Sequence, residues 1–177
     1  SWPSDAPARD QIALFKHLKI EPYAVVGYSY GSITALRLHL LSRMGEKLVL
    51  GGVGDSVAEE WNTARNDHFH AALMMAKGGA ENDAAKRVAF QMRATGGTLE
   101  GYFGALSNRT YTPADLLQTF TVPVLVLTGH DDQDNGSGET LARILPNASH
   151  TFLTGDHITA VGDPALPQSI IDFLGAE

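Results

Sequence analysis

The chain has 177 residues, of which 44% are hydrophobic and 19% charged, enough for one substantial buried core and too apolar for a disordered segment. A formal net charge of -7 argues against nucleic acid and acidic membrane surfaces as partners, and no apolar run approaches the roughly 20 residues of a membrane-spanning helix. The absence of cysteine excludes disulfides, thiolate zinc sites and a cysteine nucleophile.

In chain order, Pro7 suits the first turn of a helix capped by Asp5 or Ser4, with Ile12, Phe15 and Leu18 or Leu14 as its buried stripe. The apolar run Tyr23-Ala24-Val25-Val26 reads as a strand over residues 23–28, and Gly27-Tyr28-Ser29-Tyr30-Gly31 follows directly. Ile33, Leu36, Leu40 and Met44 then recur at helical spacing, with Gly45 in place to take the left-handed position that ends a helix. Strand, sharp turn and helix therefore occur in the order a nucleophile elbow needs. Such a turn holds its serine at positive φ, and side chains at 27 or 31 are expected to collide.

Lys47 to Leu50 and Gly51 read as the next buried strand. The Gly51-Gly52-Val53-Gly54 run is a poor match for a phosphate loop and is expected to let backbone approach the site closely. Residues 56–118 break the alternation, with helical patterns near 58–76, 81–95 and 98–107 and no strand signal. Asp115 to Phe120 leads into a strand over Val122 to Thr128, followed by Gly129-His130-Asp131-Asp132. A helix through Leu141 to Leu145 stops at Pro146, a short strand spans Ala148 to Leu153, and Gly155-Asp156-His157 precedes a last helix.

Three side chains in three loops carry chemistry. A serine hydroxyl is a poor nucleophile at neutral pH, so an imidazole must take its proton during attack and return it to the leaving group. The imidazolium in turn needs a fixed anion on its other nitrogen. Ser29, His157 and Asp132 fit these roles, with Asp131 and Asp134 as alternative acids. The competing readings make Asp132 a turn former and His157 a hydrogen-bonded turn residue. Asp67, His68 and His70 lack metal-ligand spacing, and Asp131, Asp132, Asp134, Asn135 and Glu139 miss the calcium-loop pattern. Neither a metal nor a cofactor is expected.

Serine, then aspartate, then histidine is the chain order of α/β-hydrolases, and from about residue 8 onward the chain resembles that family. The resemblance implies a three-layer α/β fold with a mostly parallel sheet, shortened at its N-terminus: a single domain over 1–177, with 56–118 as a short helical cap. It assigns Ser29 as nucleophile, Asp132 as acid, His157 as base and the Tyr30 amide as an oxyanion-hole donor. Trp61, Phe69, Met74, Met75, Tyr102 and Phe103 are candidates for the pocket lining. In the family, strands before the elbow cover its central strand and supply a second oxyanion amide, but only 28 residues precede Ser29 here. A complementing N-terminal segment or self-association is therefore expected. The activity implied is cleavage of a small or medium uncharged carboxylic ester by a cytoplasmic enzyme. The same triad also serves lactonases, amidases, carbon-carbon bond hydrolases and cofactor-free haloperoxidases, and a non-catalytic binding module is the alternative of another class.

Overall fold

The four apolar runs form one parallel sheet whose strands all end at the same edge. The computed structural model describes residues 5–59 and 110–176, together with Gly78, Lys86, Phe90, Ala94, residues 96–98, Glu100 and Gly101. The chain divides into two compact units, Asp5–Glu60 with Tyr111–Glu177, and Ser1–Ser4 with Trp61–Thr110. In the second unit Lys86, Phe90, Ala94, Glu100 and Gly101 are helical. Most of the 56–118 stretch, including Trp61, Asp67, His68, Phe69, His70, Met74, Met75, Tyr102 and Phe103, lies outside the described residues.

The first unit runs α1 (Ala6–Leu18), β1 (Ala24–Tyr28), α2 (Tyr30–Ser42), β2 (Lys47–Gly51) and a 3-10 turn (Asp55–Ala58). It resumes with α3 (Ala114–Leu117), β3 (Val124–Gly129), α4 (Gly138–Ile144), β4 (Ala148–Leu153), a second 3-10 turn (Thr159–Gly162) and α5 (Ala165–Gly175). The sheet order is β1-β2-β3-β4, every neighbouring pair is parallel, and the register sets Val26 beside Val49 and Val49 beside Leu125. Among the described residues no helix is long and apolar enough to cross a membrane.

Alternation along each strand sends side chains to two cores. Leu48, Leu50, Val124 and Val126 pack with Ile33 and Leu36 of α2, Leu117 of α3, Phe120, and Leu141 of α4. Val49, Leu125 and Leu127 face the other way, toward Leu153, Ala160 and the α5 side chains Leu166, Ile170 and Phe173. Helices on both faces of one sheet make three layers. The central strands β2 and β3 are consequently apolar at almost every position.

Three expectations about α1 and α2 need correction. In α1 the buried residue is Ala8, Ile12 and Phe15 are half-buried, and Leu14 and Leu18 are 51% and 53% exposed. The helix packs on α2, while the described sheet ends at β1, so no described layer covers the Leu14 and Leu18 side. Asp5 precedes α1 without capping it; its carboxylate instead forms a bidentate pair with Arg37 of α2, at 2.7 and 3.0 Å. In α2 the left-handed C-cap is Arg43, at φ 59°, and Gly45, at φ 83°, lies in the turn beyond it.

Of the two glycines flanking the elbow, Gly27 meets the expectation of a collision and Gly31 does not. A Cβ on Gly27 would lie 2.3 Å from the Gly31 carbonyl oxygen and 2.6 Å from the Ser32 nitrogen, so β1 and α2 cross backbone to backbone. A Cβ on Gly31 would meet nothing within 4 Å among the described residues, because that position turns outward from the crossing. Gly27→Ala should therefore lower stability by about 1–3 kcal/mol through overpacking, whereas Gly31→Ala should be neutral or stabilising by up to about 1 kcal/mol through the unfolded chain's entropy. Urea unfolding of both variants checks the asymmetry.

Candidate active site

Four loops meet beyond the carboxyl ends of the strands, and each brings one part of the site. Ser29 sits between β1 and α2 with φ 53° and ψ -119°. A non-glycine residue there costs on the order of 1–3 kcal/mol and must be held by its surroundings. The Gly51 carbonyl at the end of β2 does so, accepting from the Ser29 N–H at 2.7 Å and from the Ser32 hydroxyl at 2.8 Å. The 13 residues of α2 begin at Tyr30, so the amide after the serine lies at the positive end of a helix dipole.

The loop after β4 brings in His157. Its Nε2 lies 2.9 Å from the Ser29 Oγ, and its Nδ1 lies 2.9 Å from the Asp132 Oδ2. With a carboxylate on Nδ1, the neutral ring carries its proton there and leaves Nε2 to accept from the hydroxyl. The side chains of His157 and Asp132 are only 13% and 3% exposed, so water competes weakly for these bonds. Of the three acids considered in the loop after β3, the one bonded to the ring is Asp132. The Asp131 carboxylate lies 3.4 Å from His130, and the Asp134 N–H donates to Asp132 Oδ1 at 3.0 Å.

Tyr28 and Asn135 complete the arrangement, and their roles were not legible in the sequence. The Tyr28 hydroxyl donates to the His157 carbonyl at 2.7 Å. Asn135, buried, donates from Nδ2 to the Gly52 carbonyl at 2.9 Å, and its main-chain carbonyl accepts from the Ser56 hydroxyl at 2.6 Å. That pairing lets the acid loop and the glycine turn touch: a Cβ on Gly54 would be 2.4 Å from the Gly136 carbonyl carbon. Asn135 stood out in the sequence only as a member of an acidic loop, and Tyr28 only as a variable position in the elbow motif.

The acids around His157 stabilise its protonated form relative to a free imidazole. Burial is the largest single influence on His157 and acts against protonation. The hydrogen bond and charge of Asp132, with smaller contributions from Asp134 and Asp156, outweigh it and raise the pKa above 6.5. Because the folded value is the higher one, protonation of His157 supports the folded chain fully below about pH 6.5 and ceases to do so as pH rises through the folded value. Asp132, Asp134 and His157 lie close enough for their donor atoms to share an ion, all within 4.8 Å of one another. Both ring nitrogens are already engaged by Ser29 and Asp132, however, which suits the ring to moving a proton rather than to binding metal.

No family model and no curated protein sequence matches the chain. Its structure is similar to that of the enol-lactonase from Burkholderia xenovorans LB400, with 19% identity and a TM-score of 0.77 over 99% of this chain and 74% of that one. It is similar also to an esterase from Exiguobacterium antarcticum, with 17% identity and a TM-score of 0.72 over 96% of this chain and 72% of the other. A bromoperoxidase from Bacillus anthracis aligns at 19% identity and a TM-score of 0.72, over 98% and 75% of the two chains. The chain has the α/β-hydrolase fold and spans about three quarters of the length of these structures.

Replacing Asp132 with asparagine removes the charge and weakens the bond that offset burial. The His157 pKa should therefore fall below its wild-type value, and NMR titration of the imidazole in the two proteins measures the change.

Proposed function

We propose that the protein is a serine hydrolase that cleaves a carboxylic ester of a small or medium uncharged substrate. The observation that carries this reading is the hydrogen-bonded line from Asp132 through His157 to a serine held at positive φ. The esterase and the enol-lactonase among the similar structures support ester chemistry.

In the proposed reaction the Ser29 oxygen attacks the ester carbonyl carbon while its proton passes to His157 Nε2. The carbonyl electron pair moves onto oxygen, giving a tetrahedral oxyanion that the Tyr30 amide at the start of α2 stabilises. Collapse of the intermediate breaks the carbon-oxygen bond to the alcohol, which leaves with the proton from His157. Water then attacks the acyl-serine, gives its proton to the same ring, and the acid is released with the serine restored. Asp132 remains ionised throughout and holds the ring in the required tautomer. No cofactor takes part.

The test is labelling of the intact protein with a fluorophosphonate, together with turnover of short p-nitrophenyl esters. Stoichiometric modification at Ser29 is expected, with kcat falling by about 10⁴- to 10⁶-fold in Ser29→Ala and in His157→Ala. A folded protein that neither labels nor turns over these esters would overturn the proposal.

A further inference from the structure

We infer that Tyr28, the residue before the nucleophile, is a positioning residue whose hydroxyl holds the main chain of His157 over Ser29. The inference rests on the hydrolase reading above and adds a part to it.

The need for such a tie follows from the sheet order. β1 and β4 are the first and last of the four strands, three spacings or about 14 Å apart. The loop that carries His157 leaves β4 and must lean back across the ends of β3 and β2 to reach the elbow. Its other ties run elsewhere. The Gly155 carbonyl accepts from the Asp131 N–H at 3.0 Å, which fastens the loop to its β3 neighbour. The Asp156 carboxylate accepts from the main-chain N–H groups of Ile158 and Thr159 at 3.0 and 2.8 Å, which orders the loop internally. Toward β1 the loop is joined by the reacting pair His157 and Ser29, and by the Tyr28 hydroxyl on the His157 carbonyl at 2.7 Å. The first of these bonds must break and re-form during turnover. The second can persist through every step.

The phenol is itself held rigidly. A Cβ on Gly51 would lie 2.5 Å from Tyr28 Cδ2, and one on Gly52 would lie 2.9 Å from Cε1 and Cζ and 3.0 Å from His157 Cε1. The ring is thus seated against bare backbone, with its centroid 5.6 Å from that of His157. Burial, then the charges of Asp132, Asp156 and Asp134, push the Tyr28 pKa up to about 12, so the group stays a donor across the working range.

The experiment compares the intact wild-type protein with Tyr28→Phe, which keeps the ring and removes the bond, and with Tyr28→4-aminophenylalanine, which restores a para donor. Fluorophosphonate labelling rate, kcat and KM for a p-nitrophenyl ester, and the His157 ring resonances by NMR are measured in each. The phenylalanine variant should label and turn over about 10- to 100-fold more slowly at unchanged KM, since small misplacements of reacting groups cost rates of this order. Its ring resonances should broaden, and the amino variant should recover most of the loss. Equal labelling of wild type and Tyr28→Phe, or equal loss in both variants, overturns the positioning role while leaving the hydrolase reading intact. A wild type that never labels overturns the hydrolase reading, and unchanged ring resonances in Tyr28→Phe would then overturn the positioning role as well.

Discussion

The site depends on one carbonyl. Gly51 ends β2 beside Tyr28 in the parallel register, and its oxygen accepts from both the Ser29 N–H and the Ser32 hydroxyl. Those bonds join the strained residue and the first turn of α2 to the neighbouring strand, so the elbow cannot relax without giving up buried hydrogen bonds. The backbone contact of Gly27 with Gly31 sets how closely helix and strand cross. Ser29 is thereby fixed in place before any other side chain of the site is considered.

Parallel topology supplies the remainder. Because all four strands run the same way, the loops after β1, β2, β3 and β4 emerge at one edge, and residues far apart in sequence become neighbours there. The arrangement brings Ser29, Gly52, Asp132 and His157 together, with Tyr28 and Asn135 bracing the loops. Each brace joins a side chain to a main-chain carbonyl. Such bonds fix loop position without occupying the hydroxyl, imidazole and carboxylate that meet there.

The charge balance has the same origin. A buried imidazole resists protonation, and the acids gathered at the strand ends reverse that preference. The same acids, acting with burial, keep the Tyr28 phenol protonated. One cluster of carboxylates acts on both groups in the same sense: negative charge nearby favours holding the proton on the imidazole and on the phenol alike.

Local signals carried a good deal of this. The apolar runs marked all four strands, with β4 matched at Ala148–Leu153, and the elbow motif marked the serine at positive φ. Local signals failed where the answer lay in another element. Leu14 and Leu18 keep helical spacing, but periodicity does not say whether a layer exists to bury them. Asp5 has the chemistry of a cap and was drawn off by Arg37, 32 residues away in sequence. The glycine pair looked symmetric in the motif, yet only Gly27 faces backbone.

The sequence by itself determined the order of strands and helices, the strained turn at Ser29 and the loops that carry the aspartates and His157, because each rests on residue type and short-range spacing. Only the tertiary structure decided which of three neighbouring aspartates meets the imidazole, and that Tyr28 and Asn135 serve as braces. Those choices depend on the direction of side chains leaving separate loops, which is set by sheet register and packing between residues 25, 83 and 129 positions apart in the chain.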